Sequence, residues 1–298
     1  MRPRDVIELL LLSVLWGAAY LFTRSAVPSF GPAPLVALRL GIAALILMPI
    51  LLYRGKWPQL RSHPRQLLMV GVPFTALPFL LLSWGSLHIT AGLVAVLNAT
   101  APMFAALIAH FLLKDRMGAW RATGLVIGFV GVGMLMWGNV SFNSAAGLLA
   151  VAAVLVTSMF WSIGATYTRQ RLSGVDALVT TAASLAFASL SLVPLAWATW
   201  PVQPIGARAW AEMAFLGVAS SAIGMLMYFR LLRRIGPVKA MSVTFISPLV
   251  ALLSGALYLG EAITLQMLVG AAVVLLGTAL SLGLLGRPAA KAAVAGQA

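Results

Sequence analysis

The chain of 298 residues has no cysteine, which excludes disulfides, thiolate metal sites and a cysteine nucleophile. Its three histidines, His63, His88 and His110, are scattered without ligand spacing, so no metal centre is expected. Charge is scarce too: Asp, Glu, Lys and Arg make up 9% of the residues against 61% hydrophobic ones. A soluble domain carries about 25% charged residues, so a water-soluble fold is excluded. The six acids, Asp5, Glu8, Asp115, Asp176, Glu212 and Glu261, all fall at or near the ends of apolar runs. A proton-coupled antiporter or a carrier of strongly cationic drugs normally needs a mid-membrane carboxylate, and none is present to favour either. No catalytic triad spacing, metal cluster or phosphate-cradling glycine loop occurs, so the chain is not read as an enzyme and no cofactor is expected.

What is present is a series of ten apolar runs, near 6–22, 34–53, 67–87, 91–113, 120–138, 147–168, 177–200, 210–230, 238–259 and 265–285. Each approaches the ~20 residues that cross a bilayer's hydrocarbon core. The first follows MRPRD and lacks a small-residue cleavage site, so it reads as a span and not as a signal peptide. The connections are short. Pro28, Gly31, Pro32 and Pro34 read as the loop after the first span, and Lys56 to Pro64 as the loop after the second.

The runs repeat. Trp16, Arg24 and Pro49 recur as Trp161, Arg169 and Pro194 at an offset of 145. Gly71, Pro102, Asp115, Gly124 and Gly131 recur as Gly217, Pro248, Glu261, Gly270 and Gly277 at 146. Five spans per copy is an odd number, so the copies must lie inverted relative to each other in the membrane. The expected architecture is an all-α membrane protein of ten transmembrane helices in two inverted five-helix repeats, 1–143 and 144–286, with 287–298 as a disordered cytoplasmic tail.

The net charge of +14 would suit nucleic acid only on a soluble basic face. Here the basic residues sit between apolar runs. With the N-terminus inside, 17 of the 20 Lys and Arg fall on the cytoplasmic side, and only Arg24, Arg39 and Arg208 fall towards the outside. The positive-inside bias therefore places both termini in the cytoplasm, with a lipid bilayer as partner and no nucleic acid. Self-association into a homodimer is left open by the sequence.

Several stretches carry a family resemblance: Trp16-Gly17, Arg39-Leu40 with Ala43-Ala44, Asn98 to Pro102 leading to Lys114-Asp115-Arg116, and the glycine-rich run 124–133. In the second half the carriers are Tyr228-Phe229-Arg230 to Ile235-Gly236-Pro237, Ser247-Pro248 and Gly260-Glu261. Over about residues 6–285 the chain resembles the drug/metabolite transporter superfamily and, within it, the EamA-type ten-span transporters. The resemblance implies an inner-membrane carrier with a central cavity lined mainly by spans 1, 3, 4, 6, 8 and 9, with spans 5 and 10 peripheral. It implies substrates among amino acids, other small metabolites, nucleotide-sugar-like compounds or toxic cations. Two departures stand out: Lys-Asp-Arg replaces the family's usual Gly-Glu-Arg after the fourth span, and Arg39 has Ser184 as its second-copy equivalent.

Trp16 and Trp161 lie mid-span, whereas Trp57, Trp120, Trp137, Trp197, Trp200 and Trp210 lie at span ends, where an indole N–H stays wet. A mid-span indole either lines a cavity or packs between helices. Tyr20 shares a helix face with Trp16, and Thr157 and Ser158 share one with Trp161. Asn98 carries an amide that is costly to leave unsatisfied in hydrocarbon. Pro102, four residues on, removes the N–H that would bond the Asn98 carbonyl, so a helix kink is expected there. Thr244 and Pro248 repeat that spacing.

The substrate-binding candidates are thus Trp16, Asn98, Trp161 and Thr244, followed by Tyr20, Ser158, Tyr228 and Ser247, with Pro102 and Pro248 as kinks. Arg39 either snorkels outward or turns inward as a charge at the site, attracting a carboxylate or pairing with Glu212. The expected function is secondary transport, in the export direction, of a small organic metabolite such as an amino acid or amphipathic aromatic compound. A proton-coupled multidrug exporter is the alternative within transport, and a membrane scaffold or lipid-acting protein the alternative of another class.

Overall fold

The computed structural model describes residues 2–112, 117–137, 145–235 and 243–284. Lys114-Asp115-Arg116, Gly236-Pro237 and the C-terminal tail lie outside the described residues. Among the described residues, ten apolar helices follow in order. They are α1 Pro3–Phe30, α2 Pro32–Tyr53, α3 Pro64–Gly85, α4 Ala91–Phe111, α5 Ala119–Met136, α6 Ala145–Arg171, α7 Ala177–Ala198, α8 Ala207–Tyr228, α9 Val243–Leu259 and α10 Leu265–Ser281. The first eight are long and apolar enough to cross a membrane on their own, and α9 and α10 are shorter apolar helices. The protein is an all-helical, multi-pass membrane protein.

Local sequence explains where the helices start. Pro3, Pro32 and Pro64 each occupy the first helical turn, where a missing N–H costs nothing. Thr90, Asp176 and Thr264 are N-caps whose side-chain oxygens accept from Leu93, Leu178 and Met267 N–H at 3.3, 2.9 and 3.2 Å. At the other end of α9, Gly260 has φ 64°, the left-handed conformation that ends helices without a Cβ penalty.

The first loop differs from the sequence expectation. Pro28 lies inside α1, which runs 28 residues, and the turn to α2 is made by Gly31 alone at φ 77°. Proline in the last turn is tolerated because the helix has little further to run, and glycine supplies the positive φ that reverses the chain. The connection after α2 also folds, into a short helix at Trp57–Ser62.

The packing follows the internal repeat. α5 packs on α10 and α2 on α7, each pairing a helix with its own second-copy mate. α1 packs on α9, and α6 packs on α4, its repeat equivalent. The match extends to single contacts. A Cβ on Gly71 would strike Phe187 of α7, and one on Gly217 would strike Ile42 of α2. Gly17 abuts the Ser247 carbonyl, while its counterpart Ser162 donates to the Ala101 carbonyl at 2.6 Å.

At the α5–α10 seam a Cβ on Gly277 would fall on the Gly128 backbone, and one on Gly124 would meet Leu280 and the Ser281 amide. Without a hydrophobic drive between helices in lipid, such close backbone approach supplies the dispersion contacts that hold them. The third helix of each repeat carries a matching irregularity, a wider π turn at Val72–Ala76 in α3 and at Phe215–Ile223 in α8. In α3 the cause is visible: Pro73 and Pro78 remove two helix donors, and the Thr75 hydroxyl takes the Val70 carbonyl at 2.8 Å.

Candidate functional site

α4 breaks between Asn98 and Ala101, where the sequence places Pro102. Thr100 N–H closes a tight turn to the Leu97 carbonyl at 3.1 Å. The interrupted stretch is satisfied from neighbouring helices: Thr278 donates to the Ala99 carbonyl at 3.1 Å and Ser162 to that of Ala101. The break leaves the Asn98 side chain buried between α1 and α6. Its Nδ2 donates to the Tyr20 hydroxyl at 2.7 Å, and its Oδ1 accepts from the Ser158 hydroxyl at 3.2 Å. Three of the residues singled out from sequence therefore form one hydrogen-bonded bridge across both repeats.

Arg39 does not snorkel outward. It is 6% exposed, and α2 points it into the bundle. Its Nε donates to the Ser221 hydroxyl at 2.8 Å, Nη2 to the Ser220 hydroxyl at 3.0 Å and Nη1 to the Thr23 hydroxyl at 3.5 Å. The guanidinium lies over the Phe79 ring at 4.6 Å. Glu212 is not its partner: that carboxylate accepts from Ser25 at 2.7 Å and from Arg208 at 3.0 Å. The side chain turns inward, and a cradle of neutral hydroxyls stands where the pairing with Glu212 was expected.

The two mid-span tryptophans flank these groups without touching each other. Trp16 donates its indole N–H to the Ser220 carbonyl at 3.3 Å and packs against Tyr228 at a ring separation of 5.2 Å. Gly224 makes that approach possible, since a Cβ there would sit 2.7 Å from the indole nitrogen. Trp161 stands edge-on to Phe79 at 5.4 Å, so Phe79 touches both Trp161 and Arg39. Trp16, Tyr20, Trp161, Tyr228 and Thr244 are partly buried.

Ser247 is not brought into the network. Its hydroxyl turns back to the Val243 carbonyl of its own helix at 2.8 Å. Pro248 lies within α9, which continues through it as one helix from Val243 to Leu259. Thr23, Phe79, Ser220 and Ser221 escaped the sequence reading. The adjacent hydroxyls of Ser220-Ser221 in an apolar run were the available signal.

Ion pairs gather at the helix ends. The Glu261 carboxylate accepts the Ala91 N–H at 3.0 and 3.1 Å, capping the N-terminus of α4, where the helix dipole favours an anion. Arg24 Nε lies 3.8 Å from the same carboxylate, and its Nη1 donates to the Ser86 carbonyl at 2.6 Å. At the opposite ends of the helices, Arg234 bonds Glu8 and lies 3.6 Å from Asp5, and Lys56 lies 3.5 Å from Asp176.

A profile of the EamA-like transporter family matches residues 6–137 and again residues 148–283, one copy per repeat. The chain belongs to the EamA-like transporter family. An uncharacterized transporter of Archaeoglobus fulgidus is 26% identical to this EamA-like chain over 273 residues, spanning 91% of it and 96% of the relative. The inner membrane transporter YedA of Escherichia coli K12, also uncharacterized, is 27% identical over 263 residues, spanning 85% and 82%. A probable terminal-alkyne amino-acid exporter of Streptantibioticus cattleyicolor is 26% identical over 288 residues, spanning 93% of each chain. A solved crystal structure matches the EamA-like fold with a TM-score of 0.67 at 17% identity, covering 95% of this chain and 98% of the other.

Proposed function

We propose that this EamA-like protein is a secondary-type carrier of the inner membrane, with both termini in the cytoplasm, that exports a small organic metabolite by alternating access. The substrate is an amino acid or an amphipathic aromatic compound. The observation that carries this reading is the Tyr20–Asn98–Ser158 bridge at the break in α4. Polar groups are costly in the core of a membrane protein and collect where a broken helix meets substrate. The aromatic walls fit the same picture: Trp16 with Tyr228 on one side and Trp161 with Phe79 on the other suit a flat apolar body. Thr244, partly buried at the start of α9, is assigned to the same site by its equivalence to Asn98, and Ser247 to its edge. The amino-acid exporter among the relatives is consistent with that substrate class.

Export of a metabolite panel from overexpressing cells, repeated with Trp16→Ala and Trp161→Ala, tests the reading. Each substitution is expected to cut export of the affected metabolite by about tenfold, the effect of losing ~1.4 kcal/mol of binding. Unchanged export in both variants would remove the proposed site. Flux in proteoliposomes that required a pH gradient would favour the proton-driven exporter instead.

A further inference from the structure

Arg39 is a buried cation without a counter-ion among the described residues. Among the described residues no carboxylate lies within ion-pair distance of it. The described acids are all engaged elsewhere: Asp5 and Glu8 with Arg234, Asp176 with Lys56, Glu212 with Arg208, and Glu261 with Arg24. Asp115 lies outside the described residues. The guanidinium carries five N–H donors, and three are spent on Ser221, Ser220 and Thr23. Neutral hydroxyls orient the fork without cancelling its charge. An ionised group held inside a membrane bundle is costly unless it is paired.

Resting on the carrier reading, we infer that Arg39 is the recognition site for a substrate carboxylate, and that the transported class is an organic monocarboxylate with an apolar or aromatic body. A planar guanidinium presents parallel N–H groups that match the two oxygens of a carboxylate. Phe79, stacked on that guanidinium, passes directly to Trp161, so an apolar body attached to the carboxylate meets an aromatic wall. Ser220 ties the two sides together, taking Arg39 on its hydroxyl and Trp16 on its carbonyl. The second repeat places no second guanidinium at the equivalent position. Ser184, the counterpart of Arg39, donates to the Thr181 carbonyl of its own helix at 3.1 Å, so one carboxylate is recognised, not two.

The test compares acids with their own carboxamides, which replace the carboxylate by an uncharged group, in proteoliposomes containing the purified full chain. The pairs are phenylacetate and phenylacetamide, L-phenylalanine and L-phenylalaninamide, and L-leucine and L-leucinamide. Within at least one pair the wild type is expected to move the acid at least tenfold faster than the amide. Arg39→Gln is expected to abolish that preference by slowing the acid, and Arg39→Lys to retain part of it. Equal flux of acid and amide in the wild type, which requires no variant to fold, would overturn the assignment and leave the carrier reading standing. Full acid preference in Arg39→Gln would do the same. No flux of any compound in these pairs or in a wider metabolite panel would overturn the carrier reading, and this inference with it.

Discussion

Arg39 of α2 and Ser184 of α7 occupy the same position in the two repeats and behave in opposite ways. Arg39 reaches across to Ser220 and Ser221 of α8, whereas Ser184 bonds back within its own helix. The same contrast recurs between the fourth helices: Pro102 coincides with a break that presents Asn98 to Tyr20 and Ser158, while Pro248 lies in an unbroken α9. The fifth helices of the two repeats diverge less. Along the α5–α10 seam, Gly124 and Gly131 recur as Gly270 and Gly277 and serve the same close helix contact, while Gly128 and Gly133 give way to Val274 and Ala279. Duplication thus preserved the packing surfaces, where both copies meet the same steric demand. The interior polar positions, by contrast, make different contacts in the two copies.

The comparison can be broken most forcefully at the seam. Gly277→Val would drive a branched side chain into the Gly128 backbone, whereas a Cβ on Gly133 meets nothing within 4 Å. Overpacking of this kind costs about 1–3 kcal/mol, so the melting temperature in detergent should fall by roughly 5 °C for Gly277→Val and stay unchanged for Gly133→Ala. Equal behaviour of the two would deny the seam its role.

A second test sets Asn98 against Thr244. Asn98→Ala removes a donor and an acceptor from a buried bridge and leaves the Tyr20 hydroxyl without its Asn98 donor, while Ser158 keeps the Val154 carbonyl, a loss worth about 1–3 kcal/mol. Initial flux should drop about tenfold, and Thr244→Ala should cost only about threefold. If the two substitutions act equally, the half-sites are equivalent and the asymmetry argued from the α4 break is wrong.

The smallest expected effect concerns the end of α4 that begins at Ala91. Glu261→Gln weakens both the cap on Ala91 and the attraction to Arg24, a partly exposed pair worth about 1 kcal/mol. A cysteine-free chain makes the readout simple. Thr23→Cys, at a position 1% exposed, should resist a membrane-impermeant maleimide in the wild-type background and label about threefold faster with Glu261→Gln. No change in labelling would mean that the Glu261 contacts do not hold that end closed.

Much of this was legible from residue order. Apolar run lengths located the ten helices, the offsets of 145 and 146 disclosed the duplication, and the Asn98–Pro102 spacing marked the break in α4. The extension of α1 through Pro28 was not, because proline in a last turn and proline in a loop look alike in sequence. The Arg39 cradle was not either. Ser220 and Ser221 lie 181 and 182 residues away in the chain, and nothing local to α2 says which way the side chain at 39 turns.

The sequence by itself determined the fold class, the family and the internal repeat of residues, since these depend on hydrophobic length and on residue identity at fixed offsets, both of which are one-dimensional. Only the tertiary structure decided that Arg39 faces inward, that Tyr20, Asn98 and Ser158 form one bridge, and that Ser247 stands apart from it. Those outcomes depend on the rotation of each helix about its axis. Rotation is set by the packing of neighbouring helices, a property of the assembled bundle and of no single span.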